Sequence, residues 1–283
     1  MKYLLICLIL AVSSICVYSA EEIDSVFVYD TFTVTDSLVH EESRTVIEPV
    51  QTEHLSLGQA IQLHLNSDYK FNANQLIVPG ALLVVGITGV YAFPGVRHEF
   101  RNSFKGSKAF VADDYLQFLT AAAYLGIGFI PKMPQRGDFR DKLMAGITAY
   151  AVMGVVSNVM KYSFKAQRPG NNKRKTSFPS GHSAMAFTGA ELMRIEYGNL
   201  AGLAGYAVAC TVGMLRVYND WHWINDILGG AAVGILSARI GYWLLPWERK
   251  LFGLDKKSSK FKGDVSIMPM VGESNGLACS LVF

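Results

Sequence analysis

Residues 143–160 read LMAGITAYAVMGVVSNVM, a stretch of eighteen residues without a charged side chain. As an α-helix it would be about 27 Å long, close to the ~30 Å hydrocarbon core of a bilayer. Similar apolar segments lie on both sides of it. The full set is 76–93, 115–131, 143–160, 184–197, 199–215 and 227–245. Short connections make consecutive helices antiparallel neighbours, so the sequence predicts an all-α, six-helix antiparallel membrane bundle.

Charge divides these six segments into two groups. The first, second, third and fifth carry no charged residue and are the better candidates for membrane-spanning helices. The fourth and sixth contain charges, so they either shield those charges inside the bundle or do not cross the bilayer. The charged residues concerned are Glu191, Arg194, Glu196 and Arg239. Asp113 and Asp114, just before the second segment, are typical start signals for a helix.

The overall composition agrees with a membrane protein. Hydrophobic residues make up 51% of the 283 residues and charged residues only 17%, which is apolar for a soluble domain of this size. The net charge of +3 is too small to indicate a nucleic-acid partner, since the basic residues concentrate in a few loops and one tail. The sequence carries no indication of the oligomeric state.

The N-terminus has the layout of a secretory signal peptide over residues 1–20. Lys2 precedes an apolar stretch, and small residues end at Ala20. An uncleaved anchor helix is the alternative, because Tyr18 stands where a small residue is preferred before a cleavage site. Either interpretation places the protein in a bacterial cell envelope, the inner membrane being preferred to the outer.

Three further regions complete the predicted domain organisation. Residues 21–75 form an acidic lead-in exposed to the periplasm, residues 76–247 form the helical domain, and residues 248–283 form a basic tail. Within the tail, alternating runs surround Ser274-Asn275-Gly276, which predicts a short terminal β-hairpin.

Three short motifs stand at helix boundaries. They are Lys161-x6-Arg168-Pro169 after the third segment, Pro179-Ser180-Gly181-His182 at the start of the fourth, and Arg216-x5-His222-x3-Asp226 between the fifth and sixth. Because consecutive helices alternate in direction, all three motifs fall at the same end of the bundle.

The residue types in these motifs suit phosphate chemistry. Phosphoryl transfer spreads negative charge over three oxygens, and without a metal the chain itself must supply the compensating charge. Lys161, Arg168 and Arg216 are the candidates for that role. Ser180 is predicted to cap the fourth helix, so the first backbone N–H groups of that helix point at an anion, and Gly181 lets the anion come close.

These motifs, in this order, resemble those of the type 2 phosphatidic acid phosphatase (PAP2) family, which shares its site with class A acid phosphatases and vanadium haloperoxidases. The resemblance covers about residues 76–245. It implies a PAP2-type bundle in which His222 attacks phosphorus and His182 protonates the leaving oxygen. Asp226, one helical turn beyond His222, is placed to orient that histidine. No metal and no other cofactor is predicted.

One position departs from the family's pattern. Members usually carry serine before the arginine of the third motif, and this chain has Leu215. That serine normally donates one hydrogen bond, so its loss is expected to weaken phosphate binding without removing the mechanism.

Aromatic and glycine residues surround the third motif. Trp221 and Trp223 flank His222, and anchoring at the membrane interface is the preferred interpretation, with lining of a substrate channel as the alternative. The three glycines at 229, 230 and 234 predict close packing of the sixth helix against a neighbour.

The predicted substrate is a lipid phosphomonoester or pyrophosphate met at a membrane surface. Lipid A and undecaprenyl pyrophosphate suit an exported bacterial protein best, with phosphatidic acid and phosphatidylglycerol phosphate as further candidates. Three alternatives stay open: a secreted soluble acid phosphatase of broad specificity, a vanadium-dependent haloperoxidase, and a membrane transporter or scaffold without enzymatic activity.

The membrane topology contains a conflict. If residues 21–75 lie outside and all six segments span, the motifs face the cytoplasm and the basic tail lies outside, against the positive-inside tendency. We therefore expect that one of the first three segments does not span, or that the bundle sits on the periplasmic leaflet. Both arrangements leave the site facing the periplasm.

Overall fold

The computed structural model describes Leu65, residues 69–106, 110–131, 133–170 and 173–254, and the backbone of residues 264–270 and 276–282. The predicted signal peptide, residues 1–20, and most of the acidic lead-in lie outside the described residues. Both therefore stay predictions.

The described part of the helical domain is all-α, as predicted. Its α-helices are α1 (Ile77–Tyr91), α2 (Pro94–Phe104), α3 (Ala112–Gly126), α4 (Phe139–Phe164), α5 (Gly181–Tyr197), α6 (Asn199–Tyr218) and α7 (Ile224–Leu251). Two short 3₁₀ helices, Ala73–Leu76 and Ile127–Phe129, adjoin α1 and α3.

Helix α2 does not belong to the predicted set of six. Its sequence has two arginines, a glutamate and a histidine in eleven residues, so it contains no long apolar run. Pro94 begins the helix, where its fixed φ angle suits the first turn. Phe100 then packs in a core cluster with Val217, Ile224 and Ile227. This cluster holds α2 against the loop that carries the third motif.

Within the part of the chain that the structure describes, four helical stretches are long and apolar enough to cross a membrane, judged by length and composition. They are Ala73–Tyr91, α4, α6 and α7, and they support an integral membrane protein. The second apolar segment is not among these four, because α3 ends at Gly126 after 15 residues and the chain tightens into a 3₁₀ turn. The sixth segment is among them, although it contains Arg239.

Helix α5 is the centre of the bundle, with 13 of its 17 residues buried, and it packs against α3, α4 and α6. Helix α7 approaches α5 through glycines. A Cβ atom on Gly230 would lie 2.6 Å from the carbonyl oxygen of Ser180, and one on Gly234 would lie 2.6 Å from that of Ala184. Only glycine permits such an approach, so the predicted packing role of these two glycines is confirmed.

Charged residues of α5 and α7 pair with one another inside the bundle. Glu191 is fully buried and accepts from Arg194 Nε at 2.8 Å and Arg239 Nε at 2.6 Å, with the Tyr206 hydroxyl as a further donor. Glu196 accepts from a tyrosine hydroxyl at 2.5 Å and a backbone N–H at 2.9 Å. Buried charges need such partners, so the charges of the fourth and sixth segments are shielded within the bundle.

The chain from Leu244 to Phe283 forms a compact unit of its own. Two strands in it, β1 (Asp264–Met270) and β2 (Gly276–Val282), pair antiparallel, with Asp264 opposite Val282 and Met270 opposite Gly276. The connecting residues 271–275 lie outside the described residues. The predicted hairpin turn therefore stays a prediction.

Candidate active site

The structure brings the eight predicted site residues to one end of the bundle. Lys161 lies in the last turn of α4, and Gly181 opens α5. Arg216 lies in the last turn of α6 and Asp226 in the first turn of α7. The alternation of helix directions that the short connections predicted is what collects these positions.

His222 and Asp226 form a buried pair in the connection between α6 and α7. His222 Nδ1 lies 3.3 Å from Asp226 Oδ2, and the same oxygen accepts from Ser177 Oγ at 2.5 Å and from the Trp223 backbone N–H at 2.9 Å. Asn225 Nδ2 donates to the other oxygen at 3.2 Å. A carboxylate fixed in this way selects the tautomer with the proton on Nδ1 and leaves Nε2 as the nucleophilic atom.

The surroundings of His222 keep its imidazole neutral. The side chain is only 1% exposed, and burial lowers the pKa of His222 to about 4, against the opposing effect of Asp226. The positive charges of Arg168 and Arg216 lower this pKa further. At neutral pH the residue is therefore the unprotonated, nucleophilic form.

Ser180 caps α5 and also ties the second motif to the third. Its side chain accepts from the Ser183 backbone N–H at 3.5 Å, which confirms the predicted N-cap. Its own backbone N–H donates to the carbonyl oxygen of Asp226 at 2.9 Å. The N-terminus of α5 is thereby held in a fixed position relative to the His222 imidazole.

Lys161 and Gly181 border the same open space. The Lys161 ammonium donates to the carbonyl oxygen of Pro179, just before the N-cap of α5. A Cβ atom on Gly181 would come near a single protein atom, Lys161 Nζ at 4.0 Å. Protein packing therefore does not require glycine here, whereas an anion bound between the first turn of α5 and the ammonium would.

Arg168 and Arg216 both face the ring of Trp221. Their guanidinium carbons lie 5.8 and 5.5 Å from the centre of that ring. The Nε atoms of both arginines are buried and have no hydrogen-bond partner among the described residues. Burial lowers the pKa of Arg168, and Arg216 lowers it further. Buried donors without acceptors are costly, so these two atoms are suited to receive anionic oxygens.

Trp223 is part of the protein interior. It is 4% exposed, and its indole Nε1–H donates to the carbonyl oxygen of Gln167 at 2.8 Å. Its ring also contacts the imidazole of His98 and the guanidinium of Arg97. The preferred interpretation of Trp223 as a membrane anchor was wrong, because tertiary contacts with α2 and the first motif cover it.

Asp113 and Asp114 are site residues that the sequence did not reveal. His182 Nε2 lies 2.9 Å from Asp114 Oδ1, and Arg216 Nη1 donates to Asp113 Oδ2 at 2.5 Å. Their positions in the first turn of α3 explain why they look like ordinary helix start signals. Ser177, the donor to Asp226, was missed in the same way, since a serine in a loop carries no distinctive signal.

The side chains of Asp113, Asp114 and His182 offer ligand atoms that lie within 4.8 Å of one another, a spacing at which a metal ion could be held. The guanidinium of Arg216 already lies against both carboxylates. A metal ion there would face that positive charge, so these carboxylates suit Arg216 and His182 better than a metal.

The part of the chain that carries the motifs matches a known family. Residues 142–250 match the model of the PAP2 superfamily. That match covers α4 to α7 and all three motifs. Helices α1 to α3, which the sequence resemblance had included, lie outside it.

Two curated proteins are similar to this chain. Lipid A 1-phosphatase of Porphyromonas gingivalis is 38% identical over 149 residues, which are 52% of this chain and 33% of that protein. Bacitracin transport permease protein BcrC of Bacillus licheniformis is 27% identical over 149 residues, which are 48% of this chain and 71% of that protein. The chain thus spans about a third of the length of the first relative.

Two solved structures are also similar. Aquifex aeolicus LpxE has a TM-score of 0.39 and 23% identity, covering 50% of this chain and 92% of that one. The PAP2 type phosphatidylglycerolphosphate phosphatase from Bacillus subtilis has a TM-score of 0.35 and 22% identity, and the match covers 71% of this chain and 95% of that one. Scores this low add no argument about the fold. Residues 142–250, which hold all three motifs, are thus similar to the PAP2 superfamily.

Proposed function

We propose that this protein is a metal-independent phosphatase that hydrolyses a lipid phosphate at a membrane surface through a phospho-histidine intermediate. One observation carries the proposal. The buried imidazole of His222, oriented by Asp226, shares its surroundings with Arg168 and Arg216, whose buried Nε atoms have no partner in the described part of the chain. Such a site holds a nucleophile and unsatisfied anion donors together.

In the first step, the lone pair of His222 Nε2 attacks phosphorus while the bond from phosphorus to the lipid oxygen breaks. The leaving oxygen takes the proton of the His182 imidazolium, so it departs as a neutral alcohol. Lys161, Arg168, Arg216 and the first amides of α5 stabilise the charge on the three equatorial oxygens. Asp226 stabilises the positive charge that His222 gains.

In the second step, a water molecule attacks the phosphorus of the phospho-histidine. His182, now neutral, accepts a proton from that water, and the bond between phosphorus and Nε2 breaks. Inorganic phosphate leaves, and both histidines return to their starting states. With a pyrophosphate substrate, the leaving group of the first step is a lipid monophosphate instead of an alcohol.

A lipid substrate fits the surface of α4. Ile147, Val155 and Val159 are large apolar residues exposed on this helix, and their spacing places them on one face. That face leads toward the turn that carries Lys161. Acyl or prenyl chains can lie along it in the bilayer while the phosphate reaches the site, whereas a secreted soluble acid phosphatase would expose this surface to water.

Among lipid phosphates we favour lipid A and undecaprenyl pyrophosphate as substrates. A relative that shares 38% identity over 149 residues is named as a lipid A 1-phosphatase, which supports the first. An exported bacterial protein meets both lipids in the envelope. Phosphatidic acid and phosphatidylglycerol phosphate also contain a phosphomonoester, so the substrate panel below includes them.

We further propose that the site faces the periplasm from the inner membrane. Helix α3 is too short to count among the candidate spans, which supports the view that one of the first three segments does not cross. The proposed domain organisation is a signal peptide over residues 1–20, an acidic lead-in over 21–75, the helical domain over 76–247 and the basic tail over 248–283.

Replacement of His222 tests the nucleophile. The His222→Ala variant, purified in detergent with EDTA present, is expected to release phosphate at least about a thousandfold more slowly than the wild type from whichever lipid the wild type hydrolyses. The panel contains lipid A, undecaprenyl pyrophosphate, phosphatidic acid, phosphatidylglycerol phosphate and p-nitrophenyl phosphate. The matched control, His98→Ala, removes an exposed histidine outside the site and should keep activity. Equal release by His222→Ala would show that the nucleophile is another residue.

The pH dependence of kcat/KM is expected to be bell-shaped with an acidic optimum. His222 must be neutral to attack, so activity rises as pH increases through its pKa of about 4. His182 must be protonated to act as the acid, and burial lowers its pKa from the ordinary value of 6.5, with Arg216 adding to the shift. Activity therefore falls before pH 6.5 is exceeded. A profile that stays flat up to pH 8 would contradict these assignments.

A methyl group at Gly181 should obstruct the phosphate pocket. Gly181→Ala is expected to weaken binding of orthovanadate, a phosphate analogue, about tenfold, measured by isothermal titration calorimetry. Gly154→Ala is the matched control, because its Cβ atom would have nothing within 4 Å and Gly154 lies about two turns before Lys161 on α4. Wild-type affinity in Gly181→Ala would mean that phosphate does not enter between α5 and Lys161.

Thiol labelling tests the side of the membrane. In a protein whose native cysteines are replaced by serine, Lys175→Cys places a thiol on the exposed loop of the first two motifs, and Leu200→Cys places one at the start of α6, at the opposite end of the bundle. A membrane-impermeant maleimide should label Lys175→Cys in intact cells and Leu200→Cys only after lysis. The reverse pattern would place the site in the cytoplasm.

A further inference from the structure

The first turn of α3 contributes two carboxylates to a site whose family motifs all lie on other helices. Asp113 and Asp114 precede residues 142–250, the part that matches the PAP2 superfamily. Asp113 contacts Arg216, whereas Asp114 contacts His182 at short range and Arg216 at longer range. The two contacts have different geometry and burial, and they suggest different roles.

Asp113 binds one edge of the Arg216 guanidinium. The carboxylate is 1% exposed, and it accepts from Arg216 Nη1 at 2.5 Å and from Asn219 Nδ2 at 2.9 Å. The Nε atom of Arg216 is left buried and without a partner among the residues described. Asp113 therefore fixes the guanidinium so that one edge is used within the protein and Nε stays available for an anion.

Asp114 binds one nitrogen of the His182 ring. Its Oδ1 lies 2.9 Å from His182 Nε2 and 3.4 Å from Arg216 Nη1, and its side chain is 57% exposed. A carboxylate on one ring nitrogen orients the imidazole and leaves the other nitrogen, here Nδ1, for a reacting group. The contact between Asp114 and His182 resembles that between Asp226 and His222. It differs in that Asp114 is exposed to solvent, whereas Asp226 is buried.

Packing of α3 against α5 fixes the position of this turn. The Thr120 hydroxyl donates to the carbonyl oxygen of Ala186 at 3.0 Å, and Thr120 is 1% exposed. A Cβ atom on Gly189 would come within 2.3 Å of the Thr120 hydroxyl oxygen. This close contact fixes the position of α3 along the axis of α5. It therefore also fixes where the first turn of α3 meets His182.

We propose that Asp113 and Asp114 are positioning residues of this site, with Asp114 holding His182 as the general acid and Asp113 orienting Arg216 toward the phosphate. The inference rests on the proposed phosphatase function. Neither carboxylate touches the reacting atoms; each acts through the residue that it holds. Both histidines of the mechanism would then have a carboxylate partner, Asp226 for the nucleophile and Asp114 for the acid.

The charges around His182 give Asp114 a measurable effect. The charged groups that face this imidazole are Asp113 and Asp114 from α3 and Arg216 from α6. Burial and Arg216 lower the pKa of His182, and Asp114 opposes them. Removal of the Asp114 charge should therefore lower this pKa further. Since the acid must be protonated, the alkaline limb of the activity profile then moves to lower pH.

The test compares Asp114→Asn, Asp114→Glu and Asp113→Asn with the wild type on whichever lipid the wild type hydrolyses. Asp114→Asn should move the alkaline limb to lower pH and reduce kcat at pH 6 at least about tenfold, with little change in KM. Asp114→Glu should restore part of both effects. Asp113→Asn should raise KM and weaken orthovanadate binding about tenfold, with the alkaline limb in place.

Asp141→Asn is the matched control, because Asp141 occupies the first turn of α4 as Asp114 does that of α3. It lies 20 residues before Lys161, about 30 Å along the helix. All variants are compared by thermal unfolding in detergent. A merely structural role would lower the melting temperature of Asp114→Asn without moving the pH limb.

A second readout does not depend on activity. Histidine ring NMR in detergent, with the His182 signal assigned from a His182→Ala sample, follows the protonation of His182 directly. The pKa of His182 should fall in Asp114→Asn and stay unchanged in Asp141→Asn. If the wild type hydrolyses no phosphate, the proposed function fails, whatever the NMR shows. If the wild type is active, and Asp114→Asn keeps both the wild-type pH limb and the wild-type His182 titration, the inference about Asp114 is overturned.

Discussion

The buried carboxylate of Asp226 is the interaction on which the rest of the site depends. Its side chain is fully buried and accepts hydrogen bonds from His222, Ser177 and two further donors. Its backbone carbonyl oxygen accepts from the N–H of Ser180 at 2.9 Å. A buried charge is stable only when its lone pairs are satisfied. The hydrogen bonds that satisfy this one join the first turn of α7, the loop after the first motif and the N-terminus of α5. They therefore fix the position of His222 relative to the first turn of α5.

Around this anchor the site brings the guanidinium groups of Arg168 and Arg216 close to each other. Burial lowers the pKa of Arg168, and the nearby charge of Arg216 lowers it further, so the two guanidiniums repel each other. Trp221 gives both a common aromatic face. Under the proposed function, an arriving phosphate would relieve this repulsion and accept hydrogen bonds from the buried Nε atoms. An arrangement fixed before the substrate arrives costs no reorganisation during the reaction, which is the basis of electrostatic catalysis.

The charges inside the bundle explain why the site lies at the end of a buried helix. A helix that faces lipid could not carry these charges. Helix α5 carries Glu191, Arg194 and Glu196, which hydrocarbon would not tolerate unpaired. Arg239 of α7 and the Tyr206 hydroxyl of α6 complete the partners of Glu191. With its charges satisfied from neighbouring helices, α5 becomes the core of the bundle. Its N-terminus, which bears Ser180 and Gly181, is then enclosed by α3, α4 and α6 and by the approach of α7.

The sequence by itself determined the features that depend on local spacing. Apolar runs located six of the helices, and the serine before Gly181 marked an N-cap. The four-residue spacing of His222 and Asp226 predicted their contact, although His222 lies just before α7 and not within a helical turn. Gly230 and Gly234 indicated a close helix contact. Each of these signals lies within one helix or one turn, where propensity and periodicity act.

Only the tertiary structure decided the rest, because the partners are distant along the chain. Ser177 is 49 residues from Asp226, His182 is 68 residues from Asp114, and Arg216 is 103 residues from Asp113. In the sequence, the two aspartates look like any helix start, and Trp223 looks like a membrane anchor. Helix α2 has no apolar run to reveal it. Packing of α2 and α3 onto the motif-bearing helices turned these ordinary residues into neighbours of the site, since a side chain's role depends on contacts that local patterns do not record.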